Sequence, residues 1–160
     1  MTSANCEFEA LLSEARKFPG AALGALFDRY RNLLKMLVRA QLRGPIQTRI
    51  DASDLVQDTL VQAVQGFGRF QGQSEAELVA WLRAILAYQL ASLYRHHHAA
   101  KRSLDLERRL DHELHQSSVA MQASLGYGTS PSRVVEGEEQ LLALAEAIES
   151  LPEHYRAVIV

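Results

Sequence analysis

The sequence is poor in cysteine and lacks long runs of apolar residues. Its one cysteine, Cys6, excludes both an internal disulfide and a cysteine-based zinc site, so we expect a reducing, cytoplasmic location. No run approaches the roughly 18 uninterrupted apolar residues that a membrane span needs, which predicts that no helix crosses a membrane. The first residues include Glu7 and Glu9 and have no apolar segment, so we expect no secretory signal.

The formal net charge of −2 hides an uneven distribution along the chain. Residues 51–66 contain three aspartates and no basic residue, whereas residues 83–102 contain four Lys or Arg and no acid. Residues 103–160 contain ten acids against four bases. An acidic helix beside a basic one predicts two different partners on two different faces.

Apolar residues recur at helical spacing through most of the chain, without extended strand-like alternation. We therefore predict an all-α protein whose first part, residues 1–102, is a small helical bundle. After residue 102 the periodicity weakens, and residues 103–118 fit either a charged, frayed helix or part of a linker. Glycine, serine and proline follow, so we predict an acidic, flexible linker over residues 103–137. Helical spacing returns in residues 138–160, which we interpret as the beginning of a second helical domain.

Proline and glycine place the helix ends inside the bundle. Proline–glycine pairs at residues 19–20 and 44–45 end the first two predicted helices. Asp51 is a suitable N-cap for the third helix. A loop at residues 67–76 then leads to a fourth helix, which we predict from Glu77 to His97.

Two groups of residues suggest chemistry without establishing it. Asp54 and Asp58 share a helix face, which leaves three interpretations: a carboxylate pair for acid–base or metal chemistry, a solvated face, or a protein-binding face. The histidines at 96–98 point about 100° apart in succession and cannot converge on one ion. His112 and His115 have helical ligand spacing but no third ligand nearby. No phosphate loop or nucleophile motif is present, so we predict a non-enzyme without cofactor or metal.

Residues 83–102 give a moderate signal for nucleic-acid binding. Their four positive charges, without an acid, suit contacts to phosphate. Tyr88 falls away from the apolar stripe of its helix, and an exposed aromatic beside arginines can stack on an unpaired base.

Residues 54–86 resemble region 2 of bacterial RNA polymerase sigma factors, and the resemblance is closest to the small extracytoplasmic-function (ECF) type. The residues that carry it are Asp54-Leu55-Val56-Gln57-Asp58, the Arg69-Phe70 step into a glycine-containing loop, and Trp81-Leu82 with Ile85. Residues 27–42 resemble the preceding helix of the same domain. Residues 146–160, EAIESLPEHYRAVIV, resemble the opening of region 4.

The resemblance implies a transcription initiation factor that binds core RNA polymerase at the clamp helices of the β′ subunit. It also implies recognition and melting of the promoter minus-ten element through a flipped base of the non-template strand. Carried onto this chain, the polymerase-binding residues are Asp54, Gln57, Asp58, Val61 and Gln62. The DNA-binding residues are Arg69, Gln71, Gln73, Arg83, Tyr88, Arg95, Lys101 and Arg102.

The resemblance leaves several expectations and alternatives open. Tyr88 and Ser92 stand where ECF proteins often carry Asn and then Asp or Asn, so promoter preference is not carried over. The helix-turn-helix that recognises the minus-thirty-five element is not among these residues, so we expect poor promoter recognition by this chain alone. An anti-sigma factor is a further candidate partner, and no membrane partner is expected. The alternatives are a helical protein-interaction adaptor that never contacts DNA and a metal-dependent bundle enzyme built on Asp54, Asp58 and the histidines.

Overall fold

A computed structural model of the chain describes residues 3–42, 49–97, 103–124 and 131–159. Within these ranges the chain forms seven α-helices and no strand, which confirms the all-α prediction. The helices are α1 (Ser3–Lys17), α2 (Ala21–Gln41), α3 (Ala52–Gly66), α4 (Glu75–His97), α5 (Ser103–Ser124), α6 (Pro131–Ser150) and α7 (Glu153–Ile159). A 3-10 turn, Phe67–Arg69, follows α3 directly.

α2 is the central helix of the bundle. It packs against α1, α3 and α6, with smaller contacts to α4 and α5. Nine of its 21 residues are buried: Leu23, Leu26, Phe27, Tyr30, Leu33, Leu34, Met36, Leu37 and Val38. Each large apolar side chain in such a core contributes about 1.5–3 kcal/mol relative to an exposed one. The buried surface extends around much of α2, so the helix needs neighbours on several sides.

The structure agrees with the predicted start of α3 and differs by two residues at the start of α4. Asp51 caps α3, since its Oδ1 accepts a hydrogen bond from the Ser53 backbone N–H at 2.7 Å. α2 ends at Gln41 with an extended Leu42, and the predicted stop at 44–45 lies outside the described residues. α4 begins at Glu75, two residues before the predicted start.

The segment predicted as a flexible linker is mostly helical in the structure. α5 occupies residues 103–124 and packs along α4, where Leu110 and Leu114 are fully buried. A charged helix was one of the two interpretations of residues 103–118, and the structure has a helix that continues to Ser124. The glycine-containing part of the predicted linker, residues 125–130, lies outside the described residues.

α6 packs against α2 and α5, so the segment predicted to begin a second domain lies on the bundle. Leu141, Ala145 and Ile148 bury one face of α6. Glu149 at its end forms ion pairs with Arg39 of α2 and, at 3.1 Å, with Arg156 of α7. Apolar contacts and the Glu149–Arg39 ion pair thus hold α6 against the bundle, and the ion pair with Arg156 links α7 to α6.

α4 is apolar enough to raise the question of a membrane. From Glu75 to His96 it is long and apolar enough to cross one, by length and composition only. We expected no such helix because the sequence has no uncharged apolar run of that length. α4 packs between α3 and α5 and fully buries Leu78, Leu82, Leu86 and Leu90, which is also how the core helix of a helical bundle behaves.

Candidate functional site

The five residues assigned to polymerase binding form one continuous surface on α3. Asp54, Gln57, Asp58, Val61 and Gln62 follow helical spacing and are all exposed, opposite the buried Leu55, Val56, Thr59, Leu60 and Ala63. We call these five residues the α3 outer face. Asp54 and Asp58 form no ion pair with another described residue, so the α3 outer face keeps both negative charges free for a partner.

An apolar strip runs along the edge of the α3 outer face. Val61 is 44% exposed and Val64, three residues on, is 50% exposed. Helical spacing from the buried Leu60 and Phe67 predicts a buried Val64, whereas the structure leaves it exposed. Val61 was among the residues assigned to polymerase binding, and Val64 was not.

α2 extends the α3 outer face through an arginine that sequence reasoning missed. Arg31 donates a hydrogen bond from its Nη1 to Gln57 Oε1 at 2.8 Å. Its Nε and Nη2 donate to Asp28 Oδ1 at 3.0 and 2.9 Å. The contact fixes the Gln57 carbonyl as an acceptor and joins the exposed Asp28 to the same surface.

The carboxylates and histidines do not assemble a metal site in the described part of the chain. No group of three or more His, Cys, Asp or Glu side chains there could hold an ion. His112 and His115 are exposed on α5, while Asp54 and Asp58 lie on α3.

A short loop, residues 70–74, connects the 3-10 turn to α4 and is anchored at its C-terminal end by a capping box. The Ser74 backbone N–H donates to Glu77 Oε2 at 2.9 Å, and the Glu77 N–H donates back to Ser74 Oγ at 3.3 Å. The Gln73 N–H also donates to Glu77 Oε2, at 2.8 Å. These hydrogen bonds, first that from Gln73 and then those from Ser74, lower the pKa of Glu77. The Ser-x-x-Glu spacing is the sequence pattern that marks this helix start, and the predicted start at Glu77 did not take it into account.

The other acid at the start of α4 points into the core. Glu75 is only 5% exposed, accepts a hydrogen bond from the Tyr30 hydroxyl at 2.7 Å and lies 3.4 Å from Arg29 Nε. Burial, followed by the charge of Glu75, raises the pKa of the Tyr30 phenol, so Tyr30 remains a donor. Tyr30 and Arg29 thus compensate the negative charge of Glu75, so this carboxylate does not face a ligand. The carboxylate of Glu77 is likewise occupied, because it caps α4.

Aromatic packing anchors the other end of the 70–74 loop. The Phe70 ring lies 4.9 Å from the Trp81 ring and 6.1 Å from the Phe67 ring, centroid to centroid. Phe67 in turn packs edge-on against Phe27 of α2 at 5.8 Å. The loop therefore presents its two amide side chains, Gln71 and Gln73, from a fixed base, and both are exposed.

A cleft of about 540 Å³ opens beside this loop. Its lining includes Arg16, Val64, Phe67, Phe70, Gln71 and Gln73. We call it the loop cleft. It combines aromatic and aliphatic surface with a guanidinium and two amides, which is the composition of a site for a small planar polar ligand.

The predicted DNA-binding residues do not all share one surface. Tyr88 is 47% exposed and the Arg95 guanidinium carbon lies 6.0 Å from its ring centroid, so these two belong together. Arg69 is exposed beside the loop. Lys101 and Arg102 lie outside the described residues.

Arg83 lies apart from the exposed α4 residues. Its side chain is half-buried, and burial lowers its pKa while Asp111 of α5 and Glu138 of α6 act in the opposite sense. Local charge along α4 could not reveal this, because the covering helices are distant in sequence. The structure therefore does not bring Arg83 together with Tyr88 and Arg95.

The part of the chain that contains the α3 outer face and the 70–74 loop matches a known family. Residues 26–100 match the family model described as Sigma-70 region 2. The part of the bundle from α2 to α4 therefore resembles sigma region 2. No curated protein and no solved structure gives a significant match to the chain.

The region 2 match covers α3, the 70–74 loop and α4, together with most of α2. It therefore includes the α3 outer face, whereas α1, α5, α6 and α7 lie outside it. Region 2 indicates a sigma-factor-like role in transcription initiation, with core RNA polymerase and promoter DNA as partners. Sigma factors are not an enzyme family.

Proposed function

We propose that this chain acts as a sigma-type transcription initiation factor of the ECF kind, which binds core RNA polymerase and recognises and melts the minus-ten element. The observation that carries the proposal is the α3 outer face, which presents two exposed aspartates followed by an exposed valine, inside the segment that matches Sigma-70 region 2. The proposed location is the cytoplasm, where the polymerase is found. An anti-sigma factor is a proposed regulatory partner.

The α3 outer face has the features of a surface that docks beside a basic helix. Asp54 and Asp58 supply charge that steers and orients the partner, which affects association rate and specificity more than raw affinity. Val61 and Val64 supply apolar area that a partner helix can cover. The proposed partner is the pair of clamp helices in the β′ subunit.

The proposed DNA contacts lie at the 70–74 loop and on the exposed side of α4. Gln71 and Gln73 carry amides that can pair with base edges, and Arg69 can contact phosphate. Tyr88 with Arg95 offers a stacking surface, and base–aromatic stacking contributes about 1–3 kcal/mol per base. That gain offsets the cost of extracting a base from the duplex, which is also a few kcal/mol. Arg83 is not part of this proposed surface.

The docking proposal is tested by binding to a purified β′ clamp-helix fragment, followed by fluorescence anisotropy. Asp54→Arg combined with Asp58→Arg should weaken binding by at least about tenfold, because two attractive charges become repulsive. The matched control reverses two exposed acids on other helices, Glu14→Arg with Glu146→Arg, and should bind like the wild type. Circular dichroism should show the same helicity for all three proteins. Equal loss of binding in both variants would mean that only total charge matters, which contradicts docking through the α3 outer face.

The adaptor hypothesis uses the same face to bind a different protein and involves no DNA contact. A single-stranded minus-ten oligonucleotide separates the two. The sigma proposal expects salt-sensitive binding that weakens in Arg69→Ala and Tyr88→Ala, whereas the adaptor expects none.

A further inference from the structure

A second cleft, of about 730 Å³, lies along α5. One face of α5 forms most of its described lining, since the lining residues recur at helical spacing from Leu106 to Ala120. The end of α2 and the last turns of α4 also line it. We call it the α5 cleft. It shares no described lining residue with the loop cleft, and α5 lies outside the segment that matches Sigma-70 region 2.

Hydrogen bonds connect the three helices that line the α5 cleft. The Tyr94 hydroxyl of α4 donates to the backbone carbonyl of Gln41, the last residue of α2, at 3.1 Å. Gln41 Nε2 donates in turn to Ser117 Oγ of α5 at 3.4 Å. Leu110 is 3% exposed and packs α5 onto the core. The cleft is therefore built into the packing of the bundle, and its volume lies within the range of about 300–1,000 Å³ that is typical of small-molecule sites.

The lining of the α5 cleft combines apolar surface with an excess of positive charge. Leu106, Leu110 and Ala120 contribute the apolar part. The charged lining residues are Arg95, Arg109 and Glu113, and Arg109 Nε lies 3.6 Å from Glu113 Oε1.

Arg95 carries the charge that this ion pair leaves over. Among the described residues no acid forms an ion pair with Arg95, whose guanidinium carbon lies 6.0 Å from the Tyr88 ring centroid. A guanidinium offers planar N–H donors that match a carboxylate, and one excess positive charge matches a monoanion.

We propose that the α5 cleft binds a small amphipathic monoanion, an ionised aliphatic carboxylic acid whose chain contacts the apolar lining and whose carboxylate pairs with Arg95. Binding of such an acid requires neither polymerase nor DNA, so the site stands apart from the proposed function.

The test titrates the full, ¹⁵N-labelled chain with sodium octanoate and follows the amide chemical shifts. Binding should saturate with a dissociation constant of about 1 mM or lower, and the largest shifts should fall on the α5 lining residues and on the end of α4. Octanamide has the same chain length without the charge and should bind at least about tenfold more weakly. Shifts that do not saturate, or equal affinities for the two compounds, would overturn the proposal.

A first pair of variants tests the role of Arg95. Arg95→Gln should weaken octanoate binding by about tenfold, the equivalent of one charge-assisted hydrogen bond. Arg108→Gln is the matched control, because Arg108 is an exposed arginine of α5 outside the described lining, and it should change the affinity less than twofold. Equal losses in both variants would mean that only total charge matters, which would contradict a site at the α5 cleft.

A second pair places a negative charge on an exposed position of α5 and leaves the core unchanged. Ala120→Glu adds an acid to the lining and should weaken octanoate binding, since the carboxylate is then repelled. Val119→Glu adds the same charge at the exposed neighbouring residue, outside the described lining, and should have a smaller effect. Octanoate affinity that is the same in Ala120→Glu and the wild type would overturn the site, and circular dichroism should show the same helicity for all these proteins.

Discussion

Glu138 on α6 makes the stability of the bundle depend on pH. Burial, followed by the charge of Glu75, raises the pKa of Glu138 from 4.5 to about 7, while Arg83 acts in the opposite direction. Glu75 and Arg83 both lie on α4, and from α2 the Tyr30 phenol is also affected by the Glu138 charge. The group is therefore easier to bury protonated than ionised.

The sign of the effect on stability follows from proton binding. Between pH 4.5 and 7 the folded chain holds a proton on Glu138 that the unfolded chain has released, so the free energy of unfolding falls as the pH rises. The full difference corresponds to at most about 3 kcal/mol. Glu138 is only half-buried, so solvent screening reduces the expected effect to about 1–2 kcal/mol.

The assay compares wild type with Glu138→Gln by urea denaturation at pH 5 and pH 8. At pH 8 the variant should be more stable by about 1–2 kcal/mol, because it removes a charge that burial penalises. At pH 5 the two proteins should differ by much less. Glu146→Gln, an exposed site on the same helix, is the control and should give no such pH dependence. A stability difference between wild type and Glu138→Gln that is equal at both pH values would refute the reasoning.

Two further substitutions test the anchoring of the loop and of α4. Ser74→Ala removes the capping hydroxyl of α4 and should lower the free energy of unfolding by about 1 kcal/mol in urea denaturation; unchanged stability would mean that the capping box contributes nothing. Tyr30→Phe removes the phenol that donates to the buried carboxylate of Glu75 and should cost about 1–3 kcal/mol. A Tyr30→Phe protein as stable as the wild type would show that Arg29 and solvent already satisfy that carboxylate.

Local signals predicted the first four helices well. α2 follows the apolar spacing over its whole length, and Asp51 caps α3 as expected. The five residues of the α3 outer face come from the resemblance to sigma region 2, and the amphipathic spacing of α3 is consistent with their exposure. The structure agrees on the exposure of all five residues, while their role in polymerase binding stays a prediction.

The sequence predictions were least accurate where contacts with residues distant in sequence determine helix formation or side-chain burial. A helix over residues 103–118 was only one of two interpretations, because helical periodicity is weak there and α5 is stabilised by packing on α4. Arg83 was placed on an exposed surface because nothing along α4 indicates that α5 and α6 cover it. The hydrogen bond that Arg16 donates to the Gly72 carbonyl spans 56 residues and has no local pattern. Only the start of α4 could have been corrected from the sequence, through the capping box.

The most direct test of the account is competition for core RNA polymerase. A labelled full-length sigma factor is bound to the core enzyme, and the unlabelled chain is added in increasing concentration. We predict that the wild-type chain displaces the label and that Asp54→Arg with Asp58→Arg does so at least about tenfold less well. Failure of the folded wild-type chain to displace the sigma factor, or equal displacement by the charge-reversed variant, would contradict the claim that the α3 outer face docks on the polymerase.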